Sequence, residues 1–295
     1  MLRLTDRGSG MATASDSVKT KPAADSLIRF LLPAAQTRGA IIKASNIRAE
    51  ACRIHGLVEG DKHAPSELFA QALIGSILLL SISKGGVRQV LQLDGAGHAP
   101  ITRILAETRS GAVRGYVDWN DGISTQGNAA SPVAWLGSPV TISTVRDPGF
   151  GQPYISSIQS KSEFLADMLV DYMTQSAQIR ADIVLHHDMG LFIEAMPGST
   201  GEDQWFSAVE AMAAIPNAAL DGEPEDILQA FAPLGMKIVG RDEYRWHCGC
   251  DGESMARSLA GMSQDALKDL KDEHGLITVS CHFCGASHSV KPDQG

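Results

Sequence analysis

The sequence predicts an α+β protein. A mixed α/β-sheet domain spans residues 25–196, a helical linker spans 197–240, and a small metal-binding domain spans 241–295, behind a disordered leader at 1–24. Three observations predict this. Short apolar segments separated by Gly, Pro, Asn and Asp clusters run from Val87 to Ala195, the pattern of strands joined by turns. Amphipathic helical stretches too short to enclose a core follow Pro197. Four of the five cysteines lie between Cys248 and Cys284, paired at metal-ligand spacing.

Ordered structure is expected from Asp25. Ser26–Leu32 is apolar, and Gly39-Ala-Ile-Ile can enter a strand. Pro65-Ser66-Glu67 opens a helix, since Ser66 can cap and Glu67 suits the positive N-terminal end. Leu68, Leu73, Ile77 and Leu80 and their neighbours are apolar almost all round, so this helix is buried; Lys84-Gly85-Gly86 ends it. Strands are predicted at 87–93, 101–108, 111–119, 140–145 and 154–158. A helix starting at Ser160 carries Phe164, Leu165, Met168, Leu169, Tyr172 and Met173 on one stripe. Two last strands, 182–186 and 190–195, are joined by a turn at His187-Asp188-Met189.

Pro197-Gly198-Ser199-Thr200-Gly201 reads as a connector. Beyond it, 202–215 carries Trp205, Phe206, Val209, Met212 and Ala213, and 224–231 is shorter. This middle segment must lie on another surface, and the first domain is the available one. Leu234–Val239 leads into the cysteine tail.

Composition excludes several classes. A formal charge of −9 argues against nucleic acid as the main partner, and residues 241–295 hold six Lys/Arg against nine Asp/Glu. No run of eighteen apolar residues is present to span a membrane. The first two dozen residues lack the apolar core of a secretory signal. Asp6 and Asp16 interrupt the basic residues that would suggest organelle targeting. Few cysteines, paired rather than scattered, favour a reducing compartment such as the cytoplasm.

Cys248-Gly-Cys250, thirty residues, then Cys281-His-Phe-Cys284 can place four sulfurs around one ion. Zinc is the first candidate, because it takes four thiolates in a closed tetrahedron. Such a site can be a permanent structural zinc, as in a ribbon that docks to a fixed partner. It can also be a switch. A segment of about fifty residues buries too little surface to stand without its metal. Apparent zinc binding in such units is on the order of 10–16 kcal/mol, and that energy is folding energy. Oxidation of the thiolates breaks the ligand set, and the segment melts. A zinc enzyme is disfavoured, since four thiolates leave no open position.

His247 and His282 flank the cysteines and are expected to tune the thiolates rather than bind metal. Cys52 reads as a half-buried bystander. Asp94-Gly-Ala-Gly-His lacks the full dinucleotide fingerprint and reads as a turn. His186-His187-Asp188 falls at a strand end, with no nucleophile motif to accompany it. Trp205 and Phe206 suit either packing or contact with a partner.

The cysteine pattern resembles the zinc centre of heat shock protein 33, a family of redox-regulated holdase chaperones. Asp25-Ser-Leu-Ile-Arg-Phe, Val90-Leu-Gln-Leu-Asp-Gly, Asp171-Tyr-Met-Thr-Gln-Ser-Ala-Gln-Ile, Met196-Pro197 and Asp272-Glu-His-Gly-Leu-Ile resemble further stretches of that family, in matching order. The resemblance implies that Cys248, Cys250, Cys281 and Cys284 bind one Zn²⁺ per chain when reduced. It implies two disulfides on oxidation, Cys248–Cys250 and Cys281–Cys284, with loss of zinc and unfolding of the linker. The exposed surface then holds unfolding client proteins without ATP, as a homodimer. Cys284-Gly-Ala-Ser-His288 departs from the pattern, which leads one to expect an aromatic residue near His288.

Overall fold

The computed structural model describes residues 2–4, 23–57, 65–82, 85–120, 133–198 and 201–291. Its strands in chain order are β1 (Leu2–Leu4), β2 (Asp25–Leu32), β3 (Thr37–Lys43), β4 (Arg88–Asp94), β5 (Ile101–Arg109), β6 (Ala112–Trp119) and β7 (Val140–Asp147). They continue with β8 (Tyr154–Ser160), β9 (Ala181–His186), β10 (Met189–Ala195), β11 (Lys237–Trp246), β12 (Ile277–Cys281) and β13 (Ser287–Val290). The helices are α1 (Ser45–His55), α2 (Pro65–Ser81), α3 (Val133–Leu136), α4 (Leu165–Tyr172), α5 (Glu202–Ala213), α6 (Pro224–Leu228), α7 (Gly252–Leu259) and α8 (Gln264–Leu270). The chain forms two compact units, residues 22–246 and residues 1–21 with 247–295. The protein is of mixed α/β class, as the sequence predicts.

The larger unit is built on a ten-stranded sheet in the order β8-β7-β4-β5-β6-β11-β2-β3-β10-β9. Neighbours are antiparallel except β6 and β11, which run parallel. Alternation along the strands divides apolar side chains between two faces. Leu27, Ala40, Ile42 and Phe192 face one cluster, with α1, α2 and α4. Ile28, Phe30, Leu32, Ile41, Leu191 and Ile193 face another. The first cluster is centred on α2, whose side chains are buried on nearly every side. The sheet therefore surrounds that helix with apolar contacts, as its uninterrupted apolar run requires.

The second cluster is closed by the helical segment of residues 202–234. Trp205, Ala208, Met212, Leu220, Ile227, Leu228 and Phe231 bury against the strand side chains. The segment has no core apart from this surface. Trp205 is packing, whereas Phe206 is exposed. The short helix α6 runs into a 3-10 turn at Gln229–Leu234, because Pro233 cannot continue an α-helix.

Several elements differ from the sequence reading. The helix expected from Ser160 begins at Leu165, because Ser160 still pairs with Val140 in the β7–β8 ladder. The Ser160 and Ser162 hydroxyls both donate to Asp171, which holds the intervening turn over the helix and leaves Phe164 exposed. Helix α1, not anticipated, buries Ile47, Ala51 and Cys52, so Cys52 is a core residue rather than half-buried. Residues 237–246 were expected to be split between the end of the linker, where 234–239 leads into the tail, and the start of the metal-binding domain at 241. They form one strand, β11, between β6 and β2, so this strand runs through the boundary expected at 240/241. Leu2–Leu4, inside the expected leader, pair antiparallel with β12; the leader from residue 5 to 22 lies outside the described residues, as does Lys84.

Candidate metal centre

The smaller unit is assembled from local signals. Asp251 caps α7: its carboxylate accepts from the Ser254 amide at 2.7 Å, and the Asp251 amide donates to Ser254 Oγ at 3.1 Å. This reciprocal box stops the chain just after Cys250 and turns it into the helix. Asp272 closes the turn before β12, with its carboxylate accepting from the amides of His274 and Leu276. β12 and β13 then form a hairpin with Ile277 opposite Val290 and Val279 opposite His288.

The loop of that hairpin is a metal knuckle. The Gly285 amide donates to the Cys281 carbonyl at 2.8 Å, and Gly285 adopts φ of 71°, a left-handed geometry suited to glycine. The Cys281 sulfur accepts from the backbone amides of Phe283 and Cys284, and the Cys248 sulfur from that of Cys250. Backbone donors aimed at sulfur stabilise negative charge there.

All four sulfurs converge. Cys248 and Cys281 are 3.6 Å apart, Cys250 and Cys284 are 3.5 Å apart, and the set lies within 4.8 Å. A tetrahedral zinc with Zn–S bonds near 2.3 Å separates its sulfurs by about 3.8 Å, so the spacing suits such an ion. Hydrogen bonding from Cys248 holds the Cys281 thiol down to about 4. Its counterpart is the Cys248 thiol, pushed up first by that same bond and then by burial. Burial and Cys284 push the Cys250 thiol up to about 12. Four clustered sulfurs thus resist full ionisation among themselves, and a dication offsets their repulsion.

The donors brought together are the four predicted cysteines, without His247 or His282. The imidazole that does reach the centre is that of His288, whose Nε2 lies 3.4 Å from Cys250 Sγ. The sequence marked His288 only as a departure from an expected aromatic. The β12–β13 pairing is what carries it to the sulfur. Little else holds this unit together. Its buried apolar side chains, among the described residues, are Met255, Ala256, Leu259, Leu267, Ile277, Val279, Cys281, Phe283 and Val290.

A large mixed sheet with a helical cover, joined to a small unit bearing four convergent sulfurs, defines a protein with a metal-type thiol centre at its C-terminal end. The profile of the Hsp33 protein family matches residues 25–291, and the chain belongs to that family. It is 30% identical over 267 residues to a 33 kDa chaperonin of Aquifex aeolicus, covering 83% of this chain and 80% of the relative. It is 28% identical over 303 residues to a 33 kDa chaperonin of Geobacter sulfurreducens, covering 96% of each. The fold is similar to the crystal structure of a 33 kDa chaperonin, a heat shock protein 33 homologue, from Thermotoga maritima. The TM-score is 0.71 at 21% identity, over 91% of this chain and 95% of the other. No helix among the described residues is long and apolar enough to cross a membrane.

Proposed function

We propose that this protein is an ATP-independent holdase chaperone of the cytoplasm, switched on by oxidation of a zinc tetrathiolate at Cys248, Cys250, Cys281 and Cys284. The carrying observation is the cluster of four sulfurs within 4.8 Å in a unit with so few buried apolar side chains. Zinc, when bound, holds all four sulfurs as thiolates and supplies the folding energy that this small core lacks.

Oxidation removes the ligand set. Each disulfide forms as two thiols lose two electrons and two protons, while one peroxide is reduced to two waters. Two peroxides therefore convert four thiols to two disulfides, paired Cys248–Cys250 and Cys281–Cys284, which no longer hold a dication. Cys248 follows β11 by two residues, and β11 follows the linker, so melting of the tail acts on the linker through the chain itself.

Release of residues 202–234 would uncover Ile28, Phe30, Leu32, Ile41, Met189, Leu191 and Ile193, each at most 1% exposed under the linker. A contiguous apolar face of this kind binds unfolding chains without directional chemistry and needs no nucleotide. The same face would support a homodimer in the oxidised state. Neither nucleic acid nor membrane is a partner in this reading.

The test is to treat the reduced, zinc-loaded protein with peroxide under mild heat, or with hypochlorous acid. Zinc release, two disulfides by peptide mapping and suppression of client aggregation are expected together. Full zinc retention with no gain in client binding would instead identify a permanent structural zinc.

A further inference from the structure

We propose a second divalent-metal site, made by His186, His187 and Asp221, that fastens the linker to the sheet. One ring nitrogen of each histidine and a carboxylate oxygen of Asp221 all lie within 4.8 Å of one another. His186 Nε2 is 3.1 Å from Asp221 Oδ1. A tetrahedral zinc with bonds near 2.1 Å separates its donors by about 3.4 Å, so an ion requires only small adjustment of this pair.

The backbone brings the two imidazoles together. Successive residues of a strand point to opposite faces. His186 ends β9, however, and His187 turns into the left-handed region with φ of 54°. The rings consequently sit side by side, with centroids 4.3 Å apart. Asp188 secures this turn: its carboxylate accepts from Ser45 Oγ at 2.5 Å and its carbonyl from the Ala44 amide at 2.7 Å.

Glu67 orients the second ring. It is a carboxylate with 5% side-chain exposure, and it accepts from the His187 amide at 3.0 Å while facing His187 Nδ1 at 3.4 Å. A carboxylate on one ring nitrogen leaves the lone pair on the other, which is the usual support for a metal-binding histidine. Gln71 donates to Glu67, and Arg48 pairs with it at 3.5 Å, so the carboxylate stays in place. The histidines line a cleft of about 480 Å³, through which an ion can enter.

Two imidazoles and one carboxylate suit zinc and leave a position for water. The placement gives the site a consequence. His186 ends the sheet strand β9 and His187 begins the turn that joins it to β10, whereas Asp221 ends the 3-10 helix Asn217–Asp221 of the linker. An ion at this site is bound only while the linker is docked, so it stabilises the docked state by mass action. This consequence rests on linker release as proposed above; the site itself does not.

Equilibrium dialysis of the reduced full chain, loaded with one zinc at the thiol centre as proposed above, against buffered Zn²⁺ tests the site without any oxidant. A second equivalent is expected, lost in His186→Ala/His187→Ala and weakened at least tenfold in Asp221→Asn, while thiol-bound zinc stays at one. Asp221 is exposed, so its substitution leaves the fold intact. A stoichiometry fixed at one up to 100 µM free zinc, or a second equivalent surviving in the double variant, overturns the site. Limited proteolysis of residues 202–234 tests the fastening. At free zinc about a hundred times the dissociation constant, opening should fall about a hundredfold. Unchanged cleavage with the second equivalent bound overturns that role.

Discussion

Phe30 on β2 and Phe231 in the linker are stacked, with ring centroids 5.6 Å apart and an interplanar angle of 29°, and both are fully buried. The contact joins the strand face to the segment that covers it. Replacing a buried phenylalanine by alanine costs about 3–5 kcal/mol, through lost transfer energy and the cavity left behind. Phe231→Ala should therefore loosen the linker without oxidant. Faster proteolysis within 202–234 and client holding by the reduced protein are the expected results. Normal protection in this variant would show that the linker is held elsewhere.

Removing one sulfur should separate the two units. Under the proposed zinc binding, Cys284→Ser leaves three thiolates and takes away much of the metal-derived folding energy. Hydrogen exchange should become fast from 247 to 291 and stay slow in α2, whose cluster belongs to the other unit. Thermal unfolding should still show the cooperative transition of the large sheet.

His288 should tune metal affinity without serving as a ligand. Its Nε2 lies on Cys250 Sγ, and supporting contacts of this kind are worth about 10–100-fold in metal affinity. His288→Ala is expected to weaken zinc binding by about tenfold in competition with a chromophoric chelator. Stoichiometry should remain one at the thiol centre.

Glu107 provides a pH signature. Burial on its own would raise its pKa, but Arg88 and Arg114 overcome burial and hold it down to about 2, with Arg109 also at 3.0 Å. A depressed carboxyl stabilises the fold fully above its ordinary value of 4.5, and the stabilisation fades as pH falls from there towards 2. The difference corresponds to roughly 3 kcal/mol. Glu107→Gln should lower the urea midpoint at pH 7 and converge with the parent protein near pH 2. A constant gap across that range would assign the loss to packing.

The sequence and the structure agree most closely where the signal is local. Cysteine spacing is a property of short segments, so four convergent sulfurs could be read before any fold was known. Helix α2 was legible because an apolar run with no polar face can only be buried. β9 and β10 were legible because a short turn, read as His187-Asp188-Met189, separates two apolar segments; Met189 itself already belongs to β10. Helix α1 was missed although Ile47 and Ala51 carry its spacing and Gly56 ends it, since its apolar stripe is short. β11 was missed because its first half is exposed, Ile238 and Val239 included, and its second half is mostly charged, so no buried alternation marks it; its strand character comes from pairing with β2, about two hundred residues earlier.

By itself the sequence determined the α+β class, the coreless middle segment and the thiol centre, because composition, periodicity and spacing are written along the chain. Only the tertiary structure decided which apolar face the linker covers and which histidines lie beside sulfur or carboxylate partners. Phe30 meets Phe231, His288 meets Cys250, and His186 and His187 meet Asp221 across separations that no local pattern encodes. Sheet register and linker docking bring these partners together, and both depend on the packing of the whole unit.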